Sequence, residues 1–276
     1  MNARFASAIL IAAALPGLVR AASASECTPG PERTDAVAAV AERGEILLAS
    51  GARALLGSIR WPEEAGAERA ARAWLTVQVG RPLAVVQRGP ADRWGRVRID
   101  ASAGDAGRAD DALDLAGGLV AEGLAAVDAG ELDTLCRPAL LQVEAAARAA
   151  GRGLWAKGPL AASDGPALRA EAGRFVVAEG LLRHVGERSA RTYLDFVRRG
   201  EDGLTVTVSK RTWRRMREHG LSAVGLTGRL LRVRGVVEVR RGPVIEIAAL
   251  ELIELVEGGG AQATAGDSDG GRAPRR

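Results

Sequence analysis

The chain has 276 residues, 47% of them apolar and only 3% aromatic, with a formal net charge of +4 and a pI near 9.8. That length and apolar content support one or two domains with real cores, and the scarcity of aromatics excludes a broad base-stacking surface. Lys157 and Lys210 are the only lysines, so arginine carries the positive charge and part of the high pI is compositional habit.

Residues 1–24 read as a processing segment: Arg4 supplies charge, Phe5 to Val19 is apolar, and Ala22-Ser23-Ala24 is a small-x-small cleavage pattern. The expectation is an exported protein, periplasmic or secreted, with no membrane span in its mature form. In an oxidising compartment, Cys27 and Cys136 are expected to form one disulfide, tying the mature N-terminus to a helix more than 100 residues away. Two thiols and two histidines (His184, His219) have no metal-ligand spacing.

Strands are expected at Ala36 to Ala41 and Ile46 to Leu56, around turns at Arg43-Gly44 and Ser50-Gly51. The second runs into Pro62, which donates no N–H and ends the ladder, followed by Glu63-Glu64. A carboxylate at such an exit can face a cleft; the ordinary alternative is a solvated acidic turn. Glu64 to Val79 has helical apolar spacing through Ala67, Ala70, Ala71, Trp74 and Leu75. Arg81 to Gln87 and Gly95 to Ile99 make a hairpin around Gly89-Pro90-Ala91-Asp92. Helices are expected over Asp110 to Ala126 and Leu135 to Arg152, with Trp155 packing back as core.

A linker is expected at 158–168, rich in Gly, Pro, Ser and Asp, and the grammar beyond it changes to strands. These are Phe175 to Val185, Arg191 to Val197 and Leu204 to Val208, then a helix Lys210 to His219. Arg229 to Arg240, Val244 to Ile247 and Leu250 to Val256 complete the set. That order suits a second small OB-like barrel over 169–257, and the Gly-rich tail 258–276 reads as disordered. Residues 25–167 carry 16 Lys+Arg and 20 Asp+Glu, net −4; residues 168–257 carry 17 and 12, net +5. A nucleic-acid field, if any, therefore belongs to the second barrel. Its candidates are Arg191, Tyr193, Arg232, Arg234 and Arg240, against the alternative of a solvated arginine face. Tyr193 and Phe196 fall on opposite strand faces, with Phe196 and Trp213 assigned to core.

Several stretches, in order, resemble the staphylococcal-nuclease-like (thermonuclease) family. They are Pro62-Glu63 after an apolar strand, Asp92-Arg93-Trp94-Gly95-Arg96, Leu119 to Ala125, Leu140 to Arg148, and Gly153-Leu154-Trp155-Ala156. The resemblance covers about residues 35–157 within an expected domain of 25–157. It implies an α+β fold: an OB-type five-stranded barrel with three helices. The second domain resembles the OB-like module that follows such domains in some exported bacterial relatives. The implied chemistry is calcium-dependent phosphodiester cleavage, with two arginines clamping phosphate, a glutamate serving the attacking water and carboxylates holding the metal.

Carried over by position, Glu63 stands at the catalytic glutamate and Arg96 at the second clamping arginine. Leu55 stands where the first arginine belongs, eight residues before Glu63, and Arg60 where a metal aspartate belongs. Trp61 replaces a small residue, and Gly44 takes the second metal-aspartate position. With the metal ligands replaced, no cofactor is expected. Arg53, Arg60 and Arg96 remain candidates for phosphate. The resulting expectation is a catalytically degenerate nuclease homologue that binds nucleic acid or another polyanion. The alternatives are an active phosphodiesterase with altered metal use and an envelope scaffold that binds a protein partner.

Overall fold

The computed structural model describes residues 27–104 and 112–256. The expected leader, 1–24, and tail, 258–276, lie outside the described residues, as does the start of the helix expected from Asp110.

The first half comprises β1 (Pro29–Val40), β2 (Ile46–Leu48), β3 (Arg53–Leu56), β4 (Ile59–Arg60), α1 (Ala65–Thr76), β5 (Pro82–Arg88) and β6 (Arg96–Ala103). β7 (Leu113–Asp114), α2 (Leu115–Ala121), β8 (Ala126–Val127) and α3 (Leu140–Ala149) follow. The sheet runs β3-β2-β1-β5-β6-β7, and β3 also pairs with β6 in parallel, Arg53 opposite Arg96 through Leu56 opposite Ile99. That extra pairing closes a five-stranded barrel and removes its edges. Alternation places Ala54, Leu56, Ile99 and Ala101 inside and Arg53, Leu55, Arg96 and Arg98 on the outer face. Leu75, Leu115 and Leu119 from the helices seal the core.

α1 begins at Ala65 because Glu64 caps it, its carboxylate accepting from Gly66 N and Ala67 N at 2.8 Å each. Both expected long helices are shorter. α2 is weakened by Gly117-Gly118 and ends before Gly123, which sits at φ 66°. α3 starts after Pro138, so Cys136 lies in the segment before the helix rather than on it. The Cys27–Cys136 disulfide is formed, with its Cα atoms 5.0 Å apart.

The second half comprises β9 (Leu160–Ala161), α4 (Gly165–Ala170), β10 (Phe175–Leu181), β11 (His184–Glu187), β12 (Arg191–Asp195) and β13 (Thr205–Ser209). After these come α5 (Lys210–Glu218), α6 (Ala223–Leu226), β14 (Leu230–Val239), β15 (Pro243–Ile247) and β16 (Ile253–Leu255). The sheet runs β11-β12-β13-β15-β14-β10-β9, with β13 and β15 parallel. Only Leu182 and Arg183 separate β10 from β11, so one bent stretch pairs with β14 at one end and β12 at the other. The order of pairings repeats that of the first barrel. Residues 158–168 are built into this sheet: Leu160 pairs with Ala178, and Ala162 and Leu168 are fully buried.

A buried ionic cluster joins the halves. Arg234 Nη1 lies 2.8 and 2.9 Å from the two carboxylate oxygens of Glu144 and donates to the Val127 carbonyl at 3.2 Å. Arg234 and Glu144 are both 0% exposed, and Glu254 and Arg148 complete the cluster. This corrects the reading of Arg232 and Arg234 as a phosphate-tracking stripe. Arg234 is inaccessible to any polymer, and the mostly buried Arg232 is held by Glu179 at 2.7 Å and Glu254 at 3.7 Å. Glu251 adds a second tie by accepting from Thr134 Oγ1 and Leu135 N.

Candidate functional site

The outer face of the barrel around β3, β4 and β6 opens into a cleft of about 930 Å³. Leu55, Arg60, Trp61, Glu63, Arg98 and Asp128 are among its walls. β4 brings Arg60 to the mouth by pairing with Ala126 of β8, and Pro62 turns the chain so that Glu63 returns over Arg60. Arg60 Nη2 then holds Glu63 Oε1 at 2.6 Å. Its Nη1 is 4.0 Å from Asp128, and its guanidinium lies 5.7 Å from the Phe175 ring centroid, across the junction with the second half.

Burial pushes the Asp128 carboxyl above its ordinary pKa, against the opposing pull of the Gly130 amide and Arg60. Sequence reasoning does not find Asp128. Its only signal is an Asp-Ala-Gly turn after the short apolar β8.

Trp61 packs on Gly44, which sits at φ 74° in the left-handed region; a Cβ there would approach the indole to 2.5 Å. Positions 44 and 61 thus share one packing contact. Among the described residues no group of three or more His, Cys, Asp or Glu is placed to hold a metal ion.

The other candidate phosphate ligands are already engaged. Arg53 makes two hydrogen bonds to Glu45, at 2.7 and 2.9 Å, and donates to the Trp94 carbonyl. Arg96 binds Asp92 at 2.8 Å, lies 4.0 Å from Glu45 and stacks 4.7 Å from the Trp94 ring centroid. Arg53 and Arg96 are cross-strand partners sharing one carboxylate, while Arg60 belongs to a separate cluster with Glu63 and Asp128. The register partner of Leu55 is Arg98, whose guanidinium lines the cleft near Gly130 without an ion pair among the described residues. The alternation of Arg96, Arg98 and Asp100 on one face of β6 is the sequence signal for it.

In the second half, Arg191 pairs with Glu246 at 2.6 Å and Arg240 with Glu238 at 2.8 Å. Tyr193 is exposed on the outer face of β12, whereas Phe196 and Trp213 are core residues.

No family model matches the chain, and no curated protein sequence matches it. Among solved structures it is similar to the extended Tudor domain of Drosophila Melanogaster Tudor-SN (p100), at 19% identity over 38% of this chain and 47% of that one, with a TM-score of 0.31. The chain therefore spans about half of that structure. It is also similar to OBody AM1L10 bound to hen egg-white lysozyme, at 18% identity over 32% of this chain and 83% of that one, with a TM-score of 0.24. Neither likeness bears on activity.

Proposed function

We propose that this chain is an exported, catalytically degenerate thermonuclease-like protein that binds an anionic polymer without cleaving it. One observation carries the reading: Arg60, which stands where the resemblance implies a metal aspartate, holds the Glu63 carboxylate at 2.6 Å. A fixed guanidinium opposes a divalent cation by about 4 kcal/mol per unit charge at 4 Å and an effective dielectric near 20. Glu63 is then an ion-pair partner rather than a base beside water. The Trp61–Gly44 packing supports the same reading, because a bulky indole and a glycine stand where the resemblance implies a small residue and a carboxylate. The polymer half of the reading rests on the arginine excess of residues 168–257.

The test is incubation of the purified chain with DNA and RNA in calcium, in magnesium or in chelator. The expected result is no metal-stimulated digestion, with Glu63→Gln indistinguishable from the parent. Steady metal-dependent digestion that disappears in Glu63→Gln overturns the reading.

A further inference from the structure

The cleft that the sequence points to is nearly balanced in charge, since its arginines face carboxylates on the same walls. A second groove is not. It lies on the outer face of β11, β12 and β13, with a volume of about 1090 Å³. Six arginines line it, namely Arg183, Arg188, Arg198, Arg199, Arg240 and Arg241, against two carboxylates, Asp195 and Glu201. All six are exposed. Of these, only Arg240 makes an ion pair among the described residues.

The floor is chemically distinct from the rim. Gly186, Tyr193 and Thr207 are register partners across the three strands. Tyr193 is 36% exposed, and Gly186 beside it has no side chain to cover the ring. Thr207 is 2% exposed and lines the groove beneath the rim. Arginines from four connections between strands therefore surround a floor with one exposed tyrosine.

We infer that this groove binds a single-stranded polynucleotide, its phosphates on the rim arginines and one base against Tyr193. Rim cations neutralise the backbone, and an aromatic floor accepts any base by stacking. The inference rests on the proposed polymer-binding function and places the polymer on the second sheet, away from the nuclease-like cleft. It also replaces the buried Arg232 and Arg234 with a different set of arginines.

The experiment is fluorescence anisotropy of a labelled oligothymidine titrated with the full chain at several salt concentrations. Arg198→Glu with Arg199→Glu should weaken binding more than tenfold and flatten the log–log salt slope by about 0.7 for each phosphate that is no longer neutralised. Arg183→Ala with Arg188→Ala is a second rim pair and should weaken binding in the same direction. Arg214→Glu with Arg217→Glu makes the same charge change on α5 and should alter affinity less than threefold. Tyr193→Leu should weaken binding severalfold at every salt concentration. Circular dichroism verifies that each variant is folded.

Undiminished binding in both folded rim pairs overturns the groove. So does loss in Arg98→Ala alone, which would place the polymer in the first cleft. Competition by inorganic polyphosphate as strong as by oligothymidine, with Tyr193→Leu unchanged, overturns the polynucleotide assignment. Absence of binding to either polymer at low salt overturns the proposed function itself.

Discussion

The indole of Trp61 lies against the Cα of Gly44, so close that a Cβ at position 44 would sit 2.5 Å from the ring. Gly44 is also at φ 74°, where side chains with a Cβ are strained. Gly44→Ala should therefore cost about 2–4 kcal/mol from overpacking and backbone strain together. In a Trp61→Ala background the clash is absent and only the backbone part remains. Urea denaturation of the four proteins in a double-mutant cycle reads the difference, and equal costs in both backgrounds would contradict the contact.

Arg234 and Glu144 make the junction between the halves costly to disturb. Removing one partner of a buried pair leaves the other charge uncompensated, so Arg234→Ala should destabilise by about 3–5 kcal/mol. Exposed Arg199→Ala should stay within about 0.5 kcal/mol. Chemical denaturation monitored by tryptophan fluorescence compares them. A small effect at Arg234 would mean that the halves are not held through this cluster.

Two carboxylates near the first cleft respond to pH in opposite directions. The hydrogen bond from Arg53, with burial opposing it, holds Glu45 below its ordinary value. Its contribution is present above the unfolded pKa of about 4.5 and is lost as pH falls through the lower folded value. Asp128 is raised by burial, so its contribution is present below about 3.8 and is lost as pH rises through the higher folded value. Asp128→Asn should remove that loss and flatten the stability profile on the rising side. Arg53→Ala should weaken the loss on acidification. Urea midpoints between about pH 3 and 7 measure both, and parallel profiles would contradict the assignments.

The disulfide spans a sequence separation of 109 residues. Reduction should lower stability by about 2–5 kcal/mol, with the entropy model giving about 4.7 for a loop of roughly 100 residues. The hydrogen bond from Arg88 to the Cys27 carbonyl, 2.6 Å, is still available to the reduced chain. A shift in urea midpoint on adding reductant, absent in Cys27→Ser with Cys136→Ser, is the expected result.

The strands of the first barrel are legible because alternation of period two is written residue by residue: Ala54 and Leu56 inward, Arg53 and Leu55 outward. The helix after Pro62 is legible through its apolar spacing, although its capping residue, Glu64, looks in sequence like part of an acidic pair. Helices α2 and α3 are shorter than their apolar spacing suggests, because that spacing continues past the glycines and proline that bound them. Position alone shows that an arginine and a tryptophan precede Pro62-Glu63. It does not show that Arg60 closes on Glu63 or that Trp61 needs Gly44, since each contact joins residues brought together by the fold.

The second half shows the same division. Period two correctly separates exposed Tyr193 from buried Phe196. It also places Arg232 and Arg234 on one face of β14, and there the sequence goes no further. An arginine stripe looks solvent-facing until another part of the chain supplies its carboxylates, here Glu144, Glu179 and Glu254. Local pattern thus determined the strand faces and which side chains stand at positions 44, 55, 60 and 61. Only tertiary structure decided which arginines are neutralised by partners distant in sequence and which remain open to a ligand, because charge compensation depends on spatial neighbours.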